Sequence, residues 1–293
     1  MSVHKKKYIS SEEKNSVLGG YLYLVATPIG NLADISERAL KVLSEVDFIA
    51  AEDTRNSGTM LARFGISKPM ISYFEHNKRE RGELIAERLK NGESCALITD
   101  AGTPAISDPG EDIVRLCAER GITVTSIPGC CAAITALTLS GLSTTRFTFE
   151  GFISTAKNER RARLEELSCE RRTMIIYEAP HKLKNTLDDL MRHFGDRRIA
   201  LCRELTKLNE DVMRTTVSGA IEHYSTHDPR GEYVLIIEGA AAEDVKPSYP
   251  DDVFEHVRLL EEGGLSRMDA IKAAARERGV AKNEIYSAVM KKD

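Results

Sequence analysis

The sequence predicts an α/β fold made of two α/β domains followed by a small C-terminal helical module. Three observations carry that expectation. From Gly20, β-rich runs alternate with amphipathic stretches; near Thr144 the composition and spacing change; and two short helical patterns joined by a turn at Gly279 close the chain. The first 19 residues, polar and without the apolar core of a signal peptide, are expected to be a disordered tail.

The first series, residues 20–143, opens with YLYLVA and continues through a helix at about 35–46, FIAA, a helix around Thr59, and MISYF. A charged helix at about 80–91 leads to CALIT at 95–99, a helix at about 111–120 leads to ITVTSIP, and the small-residue stretch CCAAITALTLSG ends the series. This order is that of a parallel sheet with crossover helices. The second series, residues 144–240, holds FTFEGFIS, TMIIYE, RIALCRE and YVLIIEG, and MRTTVSG is expected to pair antiparallel with GEYVLIIEG in a mixed sheet. Residues 240–250 read as a linker, and 250–293 as three short helices of which the last two, at about 266–278 and 281–292, have a helix-turn-helix outline.

The most informative segment is the loop after CALIT. Asp100 to Gly110 contains two glycines, two prolines, two aspartates and two small hydroxyl residues. Open α/β sheets bind ligands at the carboxyl ends of their strands. Glycine there admits close backbone approach, and proline fixes the loop beforehand. Neither a Walker pattern nor a GxGxxG fingerprint is present, and Asp100 and Asp108 repel phosphate, so a neutral or cationic ligand suits the loop. An ordinary βα connection is the competing reading.

Apolar residues make up 42% of the chain and charged residues 29%, with a formal net charge of -4, so contact with nucleic acid requires a local basic patch. No CxxC pair occurs among the six cysteines, which favours reduced thiols in a cytoplasmic protein; no residues have metal-ligand spacing, and no apolar run is long enough to span a membrane.

The segments LVATPIGNLADISERAL, AEDTRNSG, ITDAGTPAISDPG, IPGCCAAITAL, FEGF, IYEAPHK, RELTK and GEYVLIIEG, in one order over about residues 21–292, resemble the bacterial ribosomal RNA small subunit methyltransferase I family, a branch of the tetrapyrrole methylase (class III methyltransferase) superfamily. The chain departs from that family's usual proline at Ala26 and at Cys130. The resemblance implies a cofactor cleft between the two domains, S-adenosylmethionine as cofactor, a homodimer, and 2'-O-methylation of a cytidine ribose in the decoding region of 16S ribosomal RNA, as naked RNA or in the assembled small subunit. A small-molecule methylase of the tetrapyrrole type and a noncatalytic RNA-binding or ribosome-assembly protein are the alternatives.

By resemblance, the cofactor contacts are Pro28, Gly102, Thr103, Pro104, Ala105, Ile106, Cys131 and Ala132 from the first series, and Tyr177, Leu205, Thr206 and Val234 from the second. Leu205 and Val234 also suit plain core packing. Methyl transfer demands an in-line acceptor oxygen with water excluded, and a base helps as charge develops on that oxygen. Glu178 and His181, three apart after a strand, are the candidate catalytic pair; capping of the following helix by Glu178 is the other reading. Candidate RNA contacts are Arg55, His76, the KNERRAR residues Lys157, Arg160, Arg161 and Arg163, and Lys282 at the last helix. An Asp53–Arg55 ion pair, a solvated helix start at His76 and a merely solubilising KNERRAR helix remain open.

Overall fold

A computed structural model describes residues 16–241 and 249–290. The chain divides into two compact units, Met1–Gly239 and Ala240–Asp293. Residues 1–15 of the expected tail and 242–248 of the expected linker lie outside the described residues. Of the remaining tail, Val17 packs on the core and the Leu18 amide donates to the Tyr23 hydroxyl at 2.8 Å.

Within the first unit, five short strands build a wholly parallel sheet: β1 (Tyr21–Val25), β2 (Phe48–Ala51), β3 (Met70–Ser72), β4 (Cys95–Ile98) and β5 (Thr123–Ile127), in the order β3-β2-β4-β1-β5. The central runs FIAA and CALI are buried along their whole length, as strands covered on both faces require. Side chains alternate across the pleat. Tyr23, Val25, Ile49 and Ile98 face α1 (Glu37–Glu45) and α2 (Thr54–Arg63), whereas Leu22, Phe48, Cys95 and Leu97 face α3 (Lys78–Lys90) and α4 (Glu111–Glu119). Neighbouring strands β1 and β4 therefore send their connections, α1 and α4, to opposite faces. That divergence opens a crevice at their carboxyl ends, the topological switch point where α/β sheets bind ligands.

A second sheet is mixed: β6 (Phe147–Phe152), β7 (Thr173–Glu178), β8 (Arg198–Arg203), β9 (Asp211–Thr216) and β10 (Tyr233–Ile237) run in the order β6-β7-β10-β8-β9, with only β6 and β7 parallel. The expected pairing of MRTTVSG with GEYVLIIEG does not form. The fully buried β10 takes β7 and β8 as its neighbours, while the polar β9 lies at the sheet edge, paired to β8 from Arg198–Thr216 to Arg203–Asp211. Val217 to Gly219 leave the strand because the Thr216 hydroxyl accepts the Gly219 amide and caps α8 (Val217–Thr226).

One face of this sheet is covered by α6 (Lys157–Leu167), α7 (Leu183–Phe194) and α8. The other takes α5 (Ala132–Leu139), which the sequence pattern places at the end of the first series. Ala133, Ala136 and Leu137 pack instead on Ile175, Ala200, Cys202, Val234 and Ile236 of the second sheet. Small side chains allow this close approach, so α5 hangs from β5 but belongs to the second sheet by its contacts.

The C-terminal unit contains α9 (Val253–Glu262), α10 (Arg267–Arg278) and α11 (Lys282–Met290) around Val257, Ile271, Ala274, Ile285 and Val289. Ser266 caps α10, and Gly279 ends it in the left-handed conformation.

Because Ala136 is wholly buried between helix and sheet, Ala136→Leu overpacks this contact and is expected to cost about 1–3 kcal/mol, read as a lowered unfolding midpoint in urea.

Candidate active site

Three loops meet at the carboxyl ends of β1, β4 and β5. The Thr27 amide donates to the Gly102 carbonyl at 2.9 Å, and the Gly102 amide returns a bond to the Thr27 carbonyl at 3.0 Å, forming an isolated antiparallel bridge. The Thr27 hydroxyl donates to the Thr99 carbonyl at 3.2 Å, and the Thr103 hydroxyl to the Cys130 carbonyl at 2.9 Å. Each loop is thus fixed by another.

Among the described residues the left-handed non-glycine positions are Ala105, Ser107, Glu204 and Thr206, with φ of 69°, 61°, 50° and 67°. Two lie in the loop after β4 and two in the loop after β8. Such conformations cost roughly 1–3 kcal/mol each and persist where surrounding structure enforces them, typically at functional sites. Enforcement is visible at Gly110, where φ is 150° and a Cβ would lie 2.9 Å from the Ala105 nitrogen. The two loop systems also touch: a Cβ on Gly30 would fall 2.8 Å from the Thr206 hydroxyl, which is buried without a partner.

Between these loops and the second sheet lies a cleft of about 520 Å³. It is lined from the first sheet's loops by Gly102, Thr103, Ile106, Cys131 and Ala132, and from the second sheet by Tyr177, Glu178, His181, Leu205 and Val234. Pro28, Pro104, Ala105 and Thr206 adjoin lining residues without facing the cleft themselves. Leu205 and Val234 pack against α5 and also border the cavity. Tyr177 joins the two walls: its hydroxyl accepts the Ala133 amide at 3.1 Å, satisfying a donor at the start of α5. Burial pushes that phenol up to about 12.

Sequence reasoning missed Asp108 and Phe152, both of which line the cleft. Asp108 had registered only as a repellent of phosphate. Burial, reinforced by the Glu52 and Asp100 charges and opposed by the Thr99 hydroxyl, raises its carboxyl to about 6. Glu52 is raised by burial as well. The paired glycine and phenylalanine of FEGF were the available signal for Phe152.

Glu178 and His181 do not form a hydrogen-bonded pair. The Glu178 carboxylate is 4% exposed and accepts the Ala179 amide at 2.9 Å and the Thr186 hydroxyl of α7 at 2.5 Å. It therefore braces the turn Pro180–Lys182 rather than orienting the imidazole or capping α7, and His181 stands exposed on that turn at the cleft.

The basic candidates are mostly engaged within the fold. Arg160 is half-buried in an ion pair with Asp189 at 2.7 Å and bonds Thr186. Arg161 pairs with Glu165, and Arg163 with Glu150 and Glu166. KNERRAR is thus not a free cationic face, because acids on α7, one turn away on α6 and on β6 engage three of its four charges; Lys157 is exposed. Asp53 caps α2 and pairs with Arg55 at 3.2 Å, leaving the guanidinium exposed. His76 is exposed and meets Phe74 edge-on, while its neighbour Lys78 bridges Glu75 and Asp112. Lys282 is exposed at the first turn of α11.

The donor set fits S-adenosylmethionine. Backbone groups of constrained loops, small residues at the start of α5 and an apolar sheet wall can enclose an adenosyl group, the half-buried Asp108 tolerates a sulfonium, and no lysine cluster lines the cleft to compete for anions. Among the described residues no group of three or more His, Cys, Asp or Glu could hold a metal ion.

Residues 21–221 match the family model of the Tetrapyrrole (Corrin/Porphyrin) Methylases. The chain is 46% identical over 269 residues to the ribosomal RNA small subunit methyltransferase I of a Synechocystis strain, covering 91% of this chain and 96% of that protein. It is 44% identical over 273 residues to the Bacillus subtilis protein of the same name, covering 92% and 94%. In fold it is similar to diphthine synthase (TM-score 0.57, 16% identity, 75% of this chain and 89% of that one) and to uroporphyrin-III-C-methyltransferase from Thermus thermophilus (0.53, 20%, 74% and 94%).

Because the folded state holds Asp108 protonated more readily than the unfolded chain, whose carboxyl titrates near 3.8, this residue costs stability as pH rises from about 4 through about 6. Asp108→Asn is therefore expected to raise the melting temperature at pH 7.5 and to leave it unchanged at pH 3.5, as scanning calorimetry at the two pH values would show.

Proposed function

The chain belongs to the ribosomal RNA small subunit methyltransferase I family of the tetrapyrrole methylases, and from that membership we propose that it 2'-O-methylates a cytidine ribose in the decoding region of 16S ribosomal RNA. The observation that carries this reading is the coincidence of the family's motifs with one strained, cross-tied cleft at the switch point of the first sheet. S-adenosylmethionine is the methyl donor, and when bound it supplies an electrophilic methyl group on a sulfonium.

The rest of the chemistry is positioning. Thr103 and Ile106 with Cys131 and Ala132 form one side of the donor site, and Tyr177, Leu205 and Val234 the other, while the left-handed Ala105 and Thr206 hold Ile106 and Leu205 in place from behind. Rigid loops hold the donor in a single orientation before the RNA arrives, which removes much of the entropic part of the barrier. The apolar wall excludes water. His181, exposed at the cleft on a turn braced by Glu178, takes the proton of the acceptor hydroxyl as oxygen charge develops. Glu178 is thus a positioning residue in this mechanism.

Phosphate contact falls to exposed polar and basic side chains: Arg55, His76, Lys157 and, in the C-terminal unit, Lys282. Arg160 is given no such role, since its guanidinium is committed to Asp189 and Thr186. The family resemblance also supports a homodimer acting in the cytoplasm; no described helix is long and apolar enough to cross a membrane.

Incubation with labelled S-adenosylmethionine and undermethylated small subunits, followed by mapping of the modified nucleotide, is expected to locate one 2'-O-methylcytidine. Transfer to a base nitrogen, or none to RNA, overturns the reading. His181→Ala is expected to lower kcat by roughly 10²–10⁴-fold with little change in the KM for subunits; unchanged single-turnover rates would remove His181 from the mechanism. Lys282→Ala is expected to weaken subunit binding and flatten its salt dependence by about one contact's slope, measured by filter binding across a salt series.

A further inference from the structure

The end of β6 presents an aromatic ring to the cleft by a specific backbone device. Along β6 and β7, Phe149 pairs with Ile175 but Gly151 pairs with Ile176, so Glu150 is an inserted bulge residue. Gly151 has φ of 61°, and a Cβ there would sit 3.0 Å from the Ser107 hydroxyl of the loop after β4. Only glycine suits both conditions.

A one-residue insertion moves every following side chain to the other face of a sheet. Without it, Phe152 would point to the face covered by α6, α7 and α8, the face of Ile176. With it, Phe152 aligns with Tyr177 and shares the cleft face with Phe149, and both phenylalanine rings meet the Tyr177 ring edge-on, at centroid distances of 5.1 and 5.6 Å. Phe149 is partly buried against the α5 core, but Phe152 remains 60% exposed at the cleft, where Ile106 is also exposed. The bulge thus spends its distortion on holding a large apolar ring open to solvent.

We propose that Phe152 is the stacking platform for the base of the acceptor nucleotide, holding it unstacked from the RNA while its ribose enters the cleft. This rests on the reading of the protein as a ribosomal RNA methyltransferase. A fixed, solvent-open aromatic ring beside a positioned methyl donor fits a flat base with a π face, and single-stranded RNA bases are recognised by stacking of this kind. Tyr177 supports the ring from its edge and carries no contact with the base. Stacking tolerates any base, so Phe152 places the nucleotide and leaves its identity to other contacts.

The test compares the full-length protein with Phe152→Ala and Phe152→Trp. Phe152→Ala removes an exposed ring, so its melting temperature and its calorimetric affinity for S-adenosylmethionine are expected to match the wild type. Its kcat/KM for undermethylated small subunits is expected to fall roughly ten- to a hundredfold, and Phe152→Trp is expected to restore most of that loss. Unchanged kcat/KM in Phe152→Ala overturns the proposal, as does a proportional loss of cofactor affinity, which makes the ring part of the donor's wall. Failure of a folded Phe152→Trp to recover activity overturns it too. If the wild-type protein itself methylates no RNA, it is the functional reading that fails, and the two outcomes are distinct.

Discussion

The reciprocal hydrogen bonds between Thr27 and Gly102 are the constraint on which the cleft depends. Strands β1 and β4 are neighbours whose connections leave to opposite faces, and nothing in a parallel sheet sets the gap between such loops. The bridge sets it. Once Gly102 is pinned to Thr27, Thr103 reaches the Cys130 carbonyl, the third loop is drawn in, and the start of α5 is placed where Cys131 and Ala132 can line a ligand. The left-handed Ala105 and Ser107 are tolerable only inside this frame. Their strain is held in the free protein and need not be generated on binding, which is how preorganisation favours a ligand.

The second wall is attached by equally few contacts. Helix α5 grows from the first sheet and packs on the second, and the Tyr177 hydroxyl accepts the Ala133 amide of its first turn. The two walls of the cleft are therefore parts of one packed body within Met1–Gly239. The electrostatics divide the same way. Glu52 and Asp108, both raised by burial, make the interior of the site unfavourable for phosphate and acceptable to a cation. Under the proposed function, an RNA backbone would then be met outside the cleft, by cations such as Arg55 and Lys157, while its base and ribose reach inward.

Much of this was legible in the sequence because it is local. The alternation of buried runs with amphipathic helices gave the first sheet, and the composition of Asp100 to Gly110 marked the loop that lines the cleft. What the sequence concealed is long-range. MRTTVSG looks as able as any strand to pair with GEYVLIIEG, and only the burial of β10 on both sides sends β9 to the edge. The helix after β5 reads as the end of its own series, since small residues show that something packs closely but not what. KNERRAR reads as a cationic face until Asp189 and Glu150, contributed by α7 and β6, are seen to neutralise it. Asp108 and Phe152 were hidden for the same reason: one acquires its character from burial beside Glu52, the other from a bulge whose register exists only when β7 is beside it.

The claim that cross-tied loops form a preorganised donor site is tested most directly by titrating S-adenosylmethionine into the wild-type protein and Thr103→Val in a calorimeter. Removing the Thr103 hydroxyl unties the loop after β4 from the Cys130 carbonyl while keeping its volume and leaving the Thr27–Gly102 bridge in place. The account predicts one cofactor per chain for the wild type and an affinity about tenfold weaker for the variant, with a larger unfavourable entropy of binding. Equal affinity and equal entropy in a folded Thr103→Val would contradict it.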